Sequence, residues 1–363
     1  LAARRQIHAE CEHQRQSETQ EQLTPEVPLE KLDAQHQEQP GQRWQAAAGQ
    51  DRIVDQDHVE RAGKDQQVED DRCGAEMRDA VRADRIEDRF ACFAQADPVA
   101  ASQRFCHAYC HITYPKTADT RLITEISARI IDDVFPTEQH LQQVIDNPLI
   151  KLNLVVAKAR RLSAARSKLL QAGGLTLAAG ANLLNRKHLQ YFFQRVLFHA
   201  PGEPSPFHYA GLLPTQHTEL STANLRQAVL ASGSIPLVLN PVEDIAGAGV
   251  GRYYDGGVTD YHFDLPFTDK GLVLYPHFYP SLTPGWFDKA LKWRKTNPAY
   301  LHNVVLLCPS DSWVKSLPFS KIPDRKDFKL ADDIRIPYWQ QVIERSHELA
   351  NALKQDDFTL EPL

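Results

Sequence analysis

Hydrophobic and polar residues follow two different regimes along this chain, and the change falls near residue 112. After Thr113, short apolar runs recur between stretches of helical period. Leu152-Asn153-Leu154-Val155-Val156-Ala157 is apolar and partly β-branched, which predicts a buried strand of parallel type. Leu272–Tyr275 and Val304–Leu307 read the same way. Ser221 or Thr222 is placed to cap a helix with Leu225 and Val229 on its apolar face, ended by Gly233. A further helix is expected from about Pro337, carrying Tyr338, Val342, Leu349 and Leu353. Leu169 to Leu184 is the most apolar stretch, interrupted by Gln171 and Asn182 and rich in Gly and Ala. It is shorter than the roughly 20 residues that cross a bilayer, so a buried helix is expected. Strands alternating with helices predict an α/β protein, a layered sheet with helices on both faces. No internal repeat is visible.

Before Thr113 the pattern is lost. No leucine occurs between Leu32 and Leu122, and the region is crowded with Gln, Arg, Asp and Glu. Its aromatics are Trp44, Phe90, Phe93, Phe105 and Tyr109. So little apolar surface cannot offset conformational entropy, and residues 1–112 are expected to be disordered or poorly packed. A natural polar extension would look like this. So would a segment translated in the wrong frame, which the opening at Leu1 and the lone methionine, Met77, favour. Residues 113–363 then form the folded domain, incomplete at its N-terminal side.

At 363 residues the chain could hold two ordinary domains or one large α/β domain. Its net charge of −6, with no basic stripe, argues against nucleic acid as a partner. There is no secretory signal, since Leu1-Ala2-Ala3-Arg4-Arg5 leads into polar sequence. A soluble, cytoplasmic protein follows, with peripheral attachment to membrane left open.

The chemistry is concentrated in Ala231-Ser232-Gly233-Ser234-Ile235-Pro236 and Tyr253-Tyr254-Asp255-Gly256-Gly257-Val258. The first piece ends a helix in a small-residue turn that Pro236 keeps from continuing. A Gly-rich loop, Ala246 to Gly251, leads into the second. Two glycines after an Asp let the backbone bend sharply and leave the carboxylate at the edge of the turn. Alone, Asp-Gly-Gly is an ordinary turn signal. Together with Asn224-Leu225-Arg226 upstream and Pro266 downstream, the set resembles the C-terminal signature of the patatin-like phospholipases.

That resemblance covers Ala210 to Pro266 by motif and 113–358 by pattern. It implies a three-layer α/β sandwich with a mainly parallel sheet, acting on acyl esters of lipids through a serine–aspartate pair without a cofactor. Asp255 matches the family's catalytic aspartate, with Gly256 and Gly257 shaping its turn. By resemblance, Asp255 would take the serine proton directly as the serine oxygen attacks the ester carbonyl, and water would release the acyl-enzyme. The family's glycine-rich loop would stabilise the oxyanion, a contribution of about 3 kcal/mol per donor in comparable enzymes.

The chain departs from the family in two places. No Gly-x-Ser-x-Gly occurs, because Pro236 stands where Gly233-Ser234 would need its second glycine. No Gly-Gly-Gly-x-Arg-Gly loop occurs either, and Gly173-Gly174 lacks the basic residue. The expected molecule is an incomplete domain with half an active site, inactive as an enzyme by itself. A non-catalytic lipid-binding or scaffold protein is the alternative.

Three other groups could carry chemistry. Asp260, His262 and Asp264 would face one side of a strand and suit a metal-dependent hydrolase. Cys106, Cys110 and His111, with His107, lack the second ligand pair of a zinc module and read better as unpaired thiols. Thr283-Pro284 looks like a helix start, putting Trp286, Ala290 and Trp293 on one face among Lys289, Lys292, Arg294 and Lys295. Trp286, Phe287 and Trp293 are thus a candidate lipid interface, with packing against the protein's own core as the competing reading. Cys308 follows an apolar run and reads as a buried structural thiol.

Overall fold

The computed structural model describes residues 91–115, 118–202, 205–207, 213–267 and 271–361. Cys11, Trp44, Cys73, Met77 and Phe90, and with them the expectation of disorder or mistranslation over 1–90, lie outside those residues.

The chain is mixed α/β. Helix α1 (Pro98–Cys110) is capped by the Asp97 side chain and has Pro98 in its first turn, where a missing amide costs nothing. Helix α2 (Thr120–Val134) is capped by Asp119, whose Oδ1 accepts from the Leu122 amide at 2.9 Å. Its apolar period buries Ile130, Ile131 and Val134. Helix α3 (Glu138–Asp146) buries Leu141, Val144 and Ile145. Strand β1 (Asn153–Ala159), helix α4 (Lys168–Leu184), β2 (Phe193–His199) and β3 (Thr215–Glu219) follow. Helix α5 (Leu225–Ser232) then leads to the two-residue β4 (Val242–Glu243) and β5 (Arg252–Asp255).

These strands form a sheet in the order β3-β2-β1-β5-β4. The expected mainly parallel arrangement is not found. Only β2 and β3 run parallel; β1 is antiparallel to both β2 and β5, and β4 is antiparallel to β5. The apolar run of β1 reflects burial on both faces, which a central antiparallel strand shares with a parallel one. Leu154 and Val156 join the cluster built by α1, α2, α3 and α5, while Ala157 and Ala159 join the cluster holding Leu175 and Ala178 of α4. Successive side chains on a strand point to opposite faces, so one strand serves two cores.

A second, two-stranded parallel sheet pairs β6 (Val273–Pro276) with β7 (Val304–Leu307), one residue off the expected 272–275 and at the expected 304–307. Helix α6 (Asp311–Ser316) and the long α7 (Asp332–Lys354) complete the element order. Helix α7 starts five residues before Pro337, which lies inside it. The extra turn is held by Arg335, fully buried, which donates to the carbonyls of Cys110 and Ile112 and lies over the Phe328 and Trp339 rings.

Two other expectations change. Helix α4 buries one face only: Leu169, Leu170, Leu177, Leu183 and Leu184 are all at least half exposed. The packed core also takes in chain before 113, since Ala91, Cys92, Ala94, Ala101 and Phe105 share a cluster with Ile131 and Val156. Removing the Phe105 ring, 2 % exposed, is expected to cost about 3–5 kcal/mol. Chemical denaturation of Phe105→Ala measures this, and a change near zero would show that α1 is not part of the core.

Candidate functional site

The two halves of the sequence signature meet in space. Asp255 is the last residue of β5, paired with Val156 of the central strand, and its amide donates to the Ser234 carbonyl at 2.9 Å. Ser234 itself is fully buried, its hydroxyl donating to the Leu230 carbonyl at 2.7 Å. Asn224 closes the frame from the other side. Expectation placed the α5 cap at Ser221 or Thr222, but Asn224 holds that position, and its side-chain oxygen accepts from the Ser221 amide. Its side-chain nitrogen donates to the carbonyls of Glu219 and Ala246, tying β3 to the Gly-rich loop. Gly247 and Gly249 take φ of 79° and 83° there, a region open to glycine at little cost.

After Asp255 the chain makes one 3-10 turn, Gly256–Val258, and the Asp255 Oδ1 accepts from the Gly257 amide at 2.6 Å. Gly256 is obligatory by packing. A Cβ there would lie 2.1 Å from the Val155 carbonyl oxygen, a backbone atom of the central strand. The carboxylate, 5 % exposed, lines a pocket of about 10 Å³ with Ile235, Pro236, Gly257, Val258, Tyr261 and Trp286. That is room for about one water and not for an acyl chain.

Trp286 and Phe287 are half-buried. The amphipathic helix expected from Thr283 is reduced to one 3-10 turn, Trp286–Asp288, and both rings pack against the cluster of Leu189, Phe193, Tyr254 and Val258. Trp293 does remain exposed, at 66 %. The turn is pinned by charge. Asp288 receives Asn182 at 2.6 Å and Arg186 and Arg294 at 3.1 Å each, and Arg186 also donates to the carbonyls of Thr259 and Pro284.

Asp260 belongs to the same network. Arg195 of β2 grips it in a bidentate pair at 2.6 Å and 2.6 Å, and Arg186 stands 3.7 Å away. Burial alone would raise the Asp260 carboxyl, but the Arg195 charge and hydrogen bonds, with Arg186, outweigh it and hold the group below its usual range. His262 and Asp264 go elsewhere. His262 meets His277, and Asp264 accepts from the Asn297 amide at 2.7 Å, its carboxyl pushed up by burial. Residues 260–264 do not form a strand, so the alternation that would align three ligands is absent. Among the described residues no three His, Cys, Asp or Glu side chains come together as a metal-holding group, neither at 260–264 nor at Cys106, Cys110 and His111. On α1, Cys110 is buried, Cys106 is half-buried, and the His107 and His111 rings stack on each other. Cys308 is half-buried and not buried as expected; burial still pushes its thiol up.

The feature the sequence did not reveal is the histidine pair. The Thr283 amide donates to His262 Nδ1 at 2.7 Å, so the proton of that ring sits on Nε2, which faces His277 Nε2 at 3.2 Å. His277 Nδ1 then donates to the Tyr279 carbonyl at 2.6 Å, the shorter of its two contacts with residue 279 (the amide lies at 3.1 Å). Burial, then the His277 and Lys289 charges, push His262 down to about 3. Burial also lowers His277. Both rings line a cleft of about 500 Å³ with Phe278, Pro280, Lys289 and Asp324, and Tyr261 forms a wall of this cleft and of the Asp255 pocket alike. Lys289 Nζ lies 4.0 Å from the centre of the Tyr261 ring. The signal in the sequence was the aromatic and histidine run 275–280, whose partner, His262, only the fold identifies.

No protein-family model matches the chain, and no curated protein or solved structure matches it.

Two outcomes are expected. Gly256→Ala should lower stability by about 1–3 kcal/mol, because the methyl group can be admitted only by moving the central strand; an unchanged denaturation midpoint would contradict the packing. The histidine pair should also make stability pH-dependent. Between about pH 3 and the unfolded-state value near 6.5, the unfolded chain binds a proton at His262 that the native chain does not. Stability therefore rises with pH across that window and falls on acidification from 6.5. Urea titrations from pH 7 to pH 4 should show a shallower decline for His262→Gln than for the wild type.

Proposed function

We propose that this chain is part of a patatin-like lipid acyl hydrolase, a three-layer α/β sandwich in which Asp255 is the aspartate of a serine–aspartate pair. The observation that carries the reading is the bond from the Asp255 amide to the Ser234 carbonyl. The Ala-Ser-Gly-Ser-Ile-Pro turn and the Asp-Gly-Gly turn are separate in sequence, each an unspecific signal, and here they form one unit. Asn224 of the same signature braces that unit, and Pro236 lines the pocket into which the carboxylate faces. A carboxylate fixed by a glycine amide at a strand end is oriented to accept a proton from a neighbouring hydroxyl.

The nucleophile lies outside what this sequence supplies, since no Gly-x-Ser-x-Gly occurs in it. That same absence favours a second reading, a non-catalytic lipid-binding or scaffold protein that keeps the aspartate turn as structure. The substrate class on the first reading is an acyl ester of a lipid.

The full chain is expected to show no hydrolysis of short-chain p-nitrophenyl esters; activity lost in Asp255→Asn would refute the half-site description. The decisive comparison uses the nucleotide sequence. An upstream frame encoding Gly-x-Ser-x-Gly, joined in register to this chain, should give an esterase that Asp255→Asn weakens by about 10²–10⁴-fold. The lack of any such frame would leave the scaffold reading in its place.

A further inference from the structure

The outer face of α4 inverts the usual pattern of a surface helix. From Leu169 to Leu184 there is no charged residue, and the side facing solvent carries Leu169 (82 % exposed), Leu177 (57 %) and Leu184 (80 %). Leu170 and Leu183 flank that stripe, each about half exposed. On the same helix a Cβ added to Gly173 or Gly180 would meet nothing within 4 Å. A helix of this length extends about 25 Å, so the apolar stripe is long. Its inner face is committed, with Leu175 and Ala178 in the core and Gln171 donating to the Tyr254 hydroxyl next to Asp255.

The surroundings of the stripe are cationic. Although the whole chain carries −6, the stretch from Asn147 to Gly202 has nine Lys and Arg and no Asp or Glu; Arg195 and Arg186 are committed to Asp260 and Asp288, while Arg161, Arg166, Lys168 and Lys187 are exposed. Arg166, with its side chain 87 % exposed and 3.8 Å from Glu243, and Lys168 stand at the N-terminal end of α4, and exposed Lys187 stands beyond its C-terminal end. Arg294 donates to the carbonyls of Asn182 and Leu183, which sets exposed Trp293, between exposed Lys292 and Lys295 in sequence, against that same end.

We infer that α4 is the surface by which this protein docks on an anionic lipid bilayer, its leucines entering the acyl boundary and its rim of cations meeting the headgroups. Two other occupants fit less well. A second copy of the same face would bring Lys168 and Lys187 of both copies together, while the nearby carboxylates Glu243 and Asp288 are already paired, with Arg166 and with Arg186 and Arg294. Residues 1–90 are acidic, with 21 Asp and Glu against 13 Lys and Arg, but they offer few leucines to cover the stripe. The docking surface is independent of whether Asp255 does chemistry.

Cosedimentation of the full chain with phosphatidylcholine vesicles, with and without phosphatidylserine, tests the assignment. Binding is expected to the anionic vesicles, weakening with added salt. The double substitutions Leu177→Asp/Leu184→Asp and Lys168→Glu/Lys187→Glu should each weaken it about tenfold or more, with the melting midpoint and circular dichroism of the charge-reversal variant unchanged. Equal binding by wild type and the folded charge-reversal variant would overturn the proposal, as would no preference for anionic lipid. Self-association abolished by the leucine pair, without vesicle binding, would give the face to a second copy. Carboxyl-to-amine cross-links from Lys168 or Lys187 to residues 1–90, again without vesicle binding, would give it to the acidic N-terminal segment.

Discussion

The buried ion pair between Arg195 and Asp260 is the constraint from which the rest of the candidate site follows. Both side chains are almost wholly removed from water, and two 2.6 Å contacts join them. Removing two charges from water is costly, and their attraction offsets that cost only when geometry is good and the remaining donors are satisfied. Here Arg195 also donates to the Thr215 hydroxyl at 3.0 Å, and Arg186 adds a second positive charge beside Asp260. Arg186 and Arg294 share Asp288, so three guanidinium groups face two carboxylates, and backbone carbonyls at Thr259, Pro284, Asn182 and Leu183 take up remaining donors. Asp260 is five residues past Asp255. Fixing one end of that short segment to β2 while β5 fixes the other leaves the Asp-Gly-Gly bend little freedom.

The same network explains where local preference loses to long-range contact. Thr283-Pro284 is a sound helix start by its own chemistry, yet only one 3-10 turn forms. Arg186 seizes the Pro284 carbonyl and the Asp288 carboxylate, and Arg294 turns back to the end of α4. A helix running on from Trp286 would have to surrender those bonds. Residues 260–264 show the same effect in strand-like sequence. Once Asp260 is drawn to Arg195, His262 to His277 and Asp264 to the Asn297 amide, nothing remains to align them.

Much of the local structure was legible because it rests on nearest-neighbour rules. Val304–Leu307 is a strand where its apolar run placed it, and Gly233 ends α5 as expected. The direction of the strands was not legible. A central strand covered on both faces reads as a continuous apolar run whether its neighbours run parallel or not, and β1 is such a strand between two antiparallel partners. The edge of the folded region was obscured by composition. Leucine is absent there, but Phe105, the alanines and Cys92 pack instead, and Asp97 and Pro98 give α1 a well-formed start. Within the site, Asp255 and its glycines could be singled out because a bend of that kind needs those residue types together. The His262–His277 pair could not, since it depends on a 3.2 Å approach between segments that no periodicity links.

Helix α4 shows how composition can mislead in the opposite sense. An apolar stretch reads as buried, and here half of it is not. The helix is wedged between demands of different kind. Its inner side must fit closely, because Gly174 lies where a Cβ would be 2.6 Å from the Ser163 amide nitrogen, and because Gln171 reaches Tyr254 behind the aspartate turn. Its outer side has no such partner among the described residues, yet it has no charges where a solvated helix would carry them. Simple solvation does not account for five exposed leucines in a segment free of carboxylates over 147–202. The arrangement becomes economical if the outer face meets a surface that is both apolar and negatively charged. The helix that touches that surface is then also the wall on which Tyr254, and through it the Asp255 turn, is set.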